Sequence, residues 1–184
     1  MRTAKICLAG AAAAAMVGFL AAPAAAAPTD TTTTTFEVLA GTLDIDAPAS
    51  ADLGSGAPGG TITGQLGTVT VTDSRGAADA SWVASVTATV FQTGTSSPPE
   101  TVLPEEIDYW SGPATATTGT GTFTPGQATA GDAEPLSSTT PLTVFTHSGG
   151  TGGNTASWNP TLVVNVPLDS IAGIYTGTVT HSVA

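Results

Sequence analysis

Beyond its first 26 residues the chain contains no cysteine, no lysine and only one arginine, Arg75. The sole cysteine, Cys7, lies in the apolar N-terminal run, so neither disulfides nor thiol chemistry is expected to support the rest of the chain. Fourteen Asp and Glu stand against Arg75, a balance of −13 there and −11 over all 184 residues. Such a surface lacks the cations that displace counterions from phosphate backbones or anionic lipid, which excludes nucleic acid as a partner. Nor is there a G-x-S-x-G elbow, an H-E-x-x-H pair or a D-x-D-x-D-G loop, so the sequence carries no hydrolase, zinc-protease or EF-hand signature. With two histidines, His147 and His181, and no helical periodicity sustained over ten residues, we expect no enzyme, no metal and no cofactor.

What is present begins with a leader. Arg2 and Lys5 precede the run Ile6–Ala22 and an alanine-rich tail, the three parts of a secretory signal peptide. Cleavage near Ala26 is expected, with no membrane span afterwards. The chain also shows no L-P-x-T-G sorting motif, so covalent wall anchoring is not expected. Residues 27–35 form a Thr-rich spacer, and residues 36–184 are expected to make one domain. A chain of that size buries roughly 68–70% of its unfolded surface.

Within that domain the period is two. Val69, Val71 and Asp73 alternate with threonines, and Trp82, Ala84, Val86 and Ala88 alternate with Val83, Ser85 and Thr87, as in half-buried strands. Asp73-Ser74-Arg75-Gly76 reads as the tight turn between these two strands, with Asp73 and Arg75 as its ion pair. Phe36–Ala40 and Leu43–Asp46 read as two short strands parted by Gly41, and Pro48–Gly60 as a loop. Further strands are expected at Ile62–Val71, Ser81–Gln92, Ile107–Trp110, Leu142–Thr146, Leu162–Val166 and Tyr175–Val183. Thr115–Thr124 reads as an edge strand or a weak hairpin, and Ser148–Asn154 as flexible. About nine short strands with frequent turns describe an all-β fold, an immunoglobulin-like antiparallel β-sandwich.

For a site, the aromatics are the useful class, because sugars stack on exposed rings. Trp82 lies on an apolar alternating face and reads as core. Tyr109 and Trp110 are adjacent, so on a strand they point to opposite sides. Trp158, between a glycine-rich loop and Pro160, is open to either burial or exposure. Tyr109, Trp110 and Trp158 are therefore the candidates for binding a glycan or a partner. His181 shares a face with Val179 and Val183, which favours a buried or interfacial ring. The carboxylates Asp44 and Asp46, and Glu105, Glu106 and Asp108, read as solvated acidic faces rather than calcium sites.

The residues Leu66–Gly76 (LGTVTVTDSRG), Ser81–Ala84, Tyr109–Gly112 and the closing VPLDSIAGIYTGTVTHSV together resemble the WxL cell-surface domain family of Gram-positive bacteria, over nearly all of Phe36–Ala184. The positions carrying the likeness are Asp73, Arg75, Gly76, Trp82, Tyr175 and His181. Where that family has Trp-x-Leu, this chain has Trp82-Val83-Ala84 and His181-Ser182-Val183. The resemblance implies a secreted, non-catalytic protein held non-covalently at the cell wall, by peptidoglycan or by another cell-surface protein. An assembly module that pairs or polymerises by strand addition, a homo-oligomer, is the alternative expectation.

Overall fold

The computed structural model describes residues 27–184. Two compact units divide the chain, Met1–Glu37 and Val38–Ala184. The expected leader, residues 1–26, lies outside the described residues. Residues 27–42 carry no strand or helix and are exposed, so the strand expected at Phe36–Ala40 does not form. Its alternation is real, but an extended segment without a neighbour gains no ladder bonds.

Among the described residues every strand belongs to the second unit. In chain order they are β1 (Leu43–Asp46), β2 (Thr61–Gln65), β3 (Val69–Asp73), β4 (Trp82–Ala88), β5 (Phe91–Gln92), β6 (Thr101–Val102) and β7 (Ile107–Trp110). They continue with β8 (Ala114–Thr118), β9 (Thr122–Pro125), β10 (Glu134–Pro135), β11 (Leu142–Ser148), β12 (Asn154–Trp158), β13 (Thr161–Asn165) and β14 (Val179–Val183). All pairings are antiparallel, in sheets ordered β1-β3-β12-β8, β10-β7-β13-β2 and β14-β4-β11-β9, with β5 and β6 as a separate pair. The expected all-β sandwich is what the unit forms. Among the described residues no helix is long and apolar enough to cross a membrane.

The first two sheets are successive stretches of the same chain segments, bent at a common corner. β2 runs into β3 through Leu66-Gly67-Thr68, β12 into β13 through Asn159-Pro160, and β7 into β8 through Ser111-Gly112-Pro113. Gly67 and Gly112 sit there at φ +93° and +71°, a left-handed conformation that favours glycine, and Pro160 has no amide proton to give to a ladder. Trp158 faces Val69 and Thr161 faces Gln65, so three steps on one strand oppose four on the other. One extra residue of this kind bends a sheet. Pairing survives the corner, since the Leu66 amide donates to the Pro160 carbonyl at 2.9 Å.

The β14-β4-β11-β9 sheet packs against the first sheet. Val69, Val71, Ala156 and Trp158 from one side meet Trp82, Ala84, Val86, Val144 and Phe145 from the other, all buried. The Phe145 and Trp158 rings stack at 4.8 Å and 19°. A bulge between Thr143 and Phe145 turns two consecutive residues, Val144 and Phe145, inward, which a regular strand cannot do. The threonines and serines point outward and pair across strands, as Thr70 does with Ser157 at 2.9 Å and Thr118 with Thr155 at 2.7 Å.

Three expectations are corrected here. β3 and β4 do not pair with one another. They lie in facing sheets, so the Ser74–Ser81 turn crosses between layers. The run Thr115–Thr124 is two edge strands of different sheets, β8 and β9, because Gly119 and Gly121, at φ +92° and +111°, carry the chain from one layer to the other. Asn154, read as the end of the flexible stretch Ser148–Asn154, opens the inner strand β12 (Asn154–Trp158) between β3 and β8.

Candidate functional site

At one end of the sandwich, where β3 and β1 meet the turn to β4, Asp73 is buried. Strand alternation aims it inward with Val69 and Val71, and a buried carboxylate needs partners. The Arg75 guanidinium donates to it in a two-pronged grip, Nε to Oδ1 at 2.9 Å and Nη2 to Oδ2 at 2.8 Å. The Asn154 amide donates to Oδ2 at 3.3 Å, and the Trp82 indole donates to Asn154 Oδ1 at 2.8 Å. Nη2 of Arg75 also reaches the Ser81 carbonyl at 2.9 Å, and Gly76 follows at φ +66°. This chain ties Asp73, Arg75, Gly76 and Trp82 into one structural knot spanning both sheets. The Arg75 guanidinium, above all, holds the Asp73 carboxyl below the usual carboxylate range. Asp73→Ala is expected to lower unfolding free energy by about 1–3 kcal/mol, since Asn154 then loses its acceptor while Arg75 rehydrates. Urea denaturation would measure it, and a change within error would refute the structural role.

His147, the other histidine considered for catalysis, belongs to this end as well. It is buried, with Nδ1 2.8 Å from the Ala80 carbonyl and Nε2 2.9 Å from the Thr120 carbonyl. Its ring lies between those of Trp82 at 5.7 Å and Phe123 at 4.4 Å. Such a ring ties loops together.

The expected aromatic surface is not formed. Tyr109 and Trp158 are both 0% exposed, because their strands aim them at the core from adjoining sheets. Trp158 Nε1 donates to the Tyr109 hydroxyl at 3.2 Å. That hydroxyl is also hydrogen-bonded to His181 Nε2 at 3.1 Å. Burial pushes the Tyr109 hydroxyl pKa up and pushes His181 down to about 4. Trp110 is half-buried on the opposite face of β7. The three candidate rings therefore share no surface.

The concave feature lies at the other end, where the bent sheet leaves the sandwich. A cavity of about 860 Å³ opens between the inner face of β13 (Leu162, Val164), the loop after β1 (Ala47–Gly56) and the approach to β14 (Ser170–Val179), with His181 on its wall. Tyr175 pins that approach, its hydroxyl lying 3.0 Å from the Pro99 carbonyl and 2.9 Å from that of Ile171. The Ser170 hydroxyl is buried and has no hydrogen-bond partner. Of the lining residues, Ile171 and Ile174 are 46% and 87% exposed and form part of the rim.

Only His181 and Tyr175 of the residues singled out from sequence reach this cavity. The rest of its lining comes from stretches far apart in the chain. The one local signal was the apolar residues of Pro167–Tyr175, unusual in a turn-rich segment. Beside the cavity, Glu100 accepts four hydrogen bonds on Oε2, from the amides and hydroxyls of Thr95 and Ser97 at 2.6–3.1 Å. They hold its pKa at about 2. A Cβ on Gly94 would collide with that carboxylate, so the loop is closed around it.

Among the described residues no three His, Cys, Asp or Glu side chains converge as a metal site. No protein-family model, no curated protein and no solved structure matches this chain.

Proposed function

We propose that this chain is an extracellular, non-catalytic binding domain that attaches non-covalently at a bacterial surface, and that it does so through another surface protein rather than through bare peptidoglycan. The leader and the resemblance to the WxL domains motivate the location. The observation that carries the choice of partner is the cavity, whose lining is mostly aliphatic and aromatic and whose rim exposes Ile171 and Ile174. Apolar side chains of a polypeptide suit such a site better than the hydroxyls of a glycan strand. Two of the three rings expected to stack on sugar are buried in the core.

The test is retention on Gram-positive cell-wall preparations before and after their proteins are stripped with protease. Retention is expected on protein-bearing walls and loss is expected on stripped ones. Equal retention on stripped peptidoglycan would refute the protein partner, and no retention on either would refute surface attachment.

A further inference from the structure

We propose that the cavity and the neighbouring edge of β14 form an acceptor for an extended apolar strand, and that the strand is the segment Thr34–Ala40 of a second copy of this chain. The proposal rests on reading the cavity end as the binding face.

The acceptor has two parts. β14 is the last strand of its sheet and pairs only with β4. Val83 and Ala184 exchange both backbone hydrogen bonds, and the Thr89 amide donates to the Thr178 carbonyl at 2.9 Å. By antiparallel alternation, the bonded positions on β14 are then Thr180 and Ser182. The backbone groups of Val179, His181 and Val183 therefore point away from β4, on the side of β14 that pairs with no strand. The side chains of Val179 and His181 line the cavity next to this open edge. An open edge beside apolar pockets is the arrangement that accepts an added strand, with the backbone supplying affinity and the pockets selecting side chains.

The donor is on the same chain. Phe36, Val38 and Leu39 are 89%, 79% and 78% exposed in a segment of strand-like sequence that has no strand partner. Gly41 and Thr42 are committed to an extended pairing with Ser74, in which the Gly41 amide donates to the Ser74 carbonyl at 3.0 Å and the Ser74 amide to the Thr42 carbonyl at 2.8 Å, so these two residues are not available to the added strand. Charge agrees. In a chain of net charge −11, Thr31–Leu43 carries only Glu37 and the cavity lining only Asp52, so the two surfaces meet where like-charge repulsion is least.

The experiment uses the chain from Ala27, which contains every strand, and measures sedimentation from about 1 to 300 µM, the span of transient interfaces. One variant disables the donor, Val38→Asp with Leu39→Asp. The other disables the acceptor rim, Ile171→Asp with Ile174→Asp. All four positions are exposed, and unchanged melting temperatures verify that both variants fold. The unmodified chain is expected to exceed monomer mass as concentration rises, each variant to stay monomeric, and an equimolar mixture to stop at a one-to-one pair. A monomer throughout, or variants that assemble like the parent, would overturn the proposal. Wall retention separates the two readings. If the parent is monomeric yet the rim variant no longer binds protein-bearing walls, the binding face stands and self-assembly falls. If the rim variant binds walls unchanged, the binding face falls too.

Discussion

Replacing Trp158 by alanine is expected to cost about 3–5 kcal/mol of unfolding free energy, the range for deleting a fully buried large aromatic. The ring is 0% exposed and stacks on Phe145 at 4.8 Å, so its loss removes the contact that joins the two packed sheets. It also removes the indole proton from the Tyr109 hydroxyl, leaving a buried oxygen with one partner fewer. Trp158→Phe keeps most of the volume and should recover more than half of the loss, the remainder reporting the hydrogen bond. Urea denaturation of the three proteins measures this. A cost below about 1 kcal/mol for the alanine variant would place Trp158 outside the core, since surface substitutions rarely exceed about 0.5 kcal/mol.

Stability is expected to decline as pH falls from 6.5 toward 4, and His181 is the reason. Its ring is largely shielded from water, and that burial depresses its pKa from 6.5 to about 4. The unfolded chain then binds the proton more readily than the folded one. Stability is therefore complete above the unfolded value, falls through the window from 6.5 to about 4, and levels off below it. The gap corresponds to a loss on the order of 3 kcal/mol. His181→Gln, which keeps an acceptor but does not titrate, should flatten the thermal melting profile across that window. An equally steep profile in the variant would assign the loss elsewhere. Glu100 acts lower. Its carboxyl, held at about 2 against an ordinary 4.5, contributes stability that is present above 4.5 and lost as pH drops toward 2.

Strand alternation was legible wherever an apolar residue marked every second position. Trp82 through Ala88 is the clearest case, and every inward residue expected there is buried. The Asp73–Arg75 pair was legible from its turn and from the absence of any other basic residue beyond the first 26. Its continuation to Asn154 and Trp82 was not, because those residues are 72 positions apart in the chain and nothing local links them. β12 escaped notice because its inward residues are Asn154, Ala156 and Trp158. Only one of these is large and apolar, so the segment has the period of a strand without its usual hydrophobic content. The arm at Phe36–Ala40 was misjudged for the opposite reason. It has the pattern of a strand, but no neighbouring strand completes it.

The sequence by itself determined that the domain is all-β, which side of most strands faces inward, and that neither disulfides nor a basic surface contributes. Each of these follows from composition or from period-two side-chain placement, and both are local properties of a chain. The tertiary structure alone decided which strands became neighbours, that Tyr109 and Trp158 close the core instead of presenting a surface, and that a cavity opens beside His181. Pairing and cavity formation depend on where distant segments meet. The alternation of a strand specifies a face to bury, but carries no information about which other face will cover it.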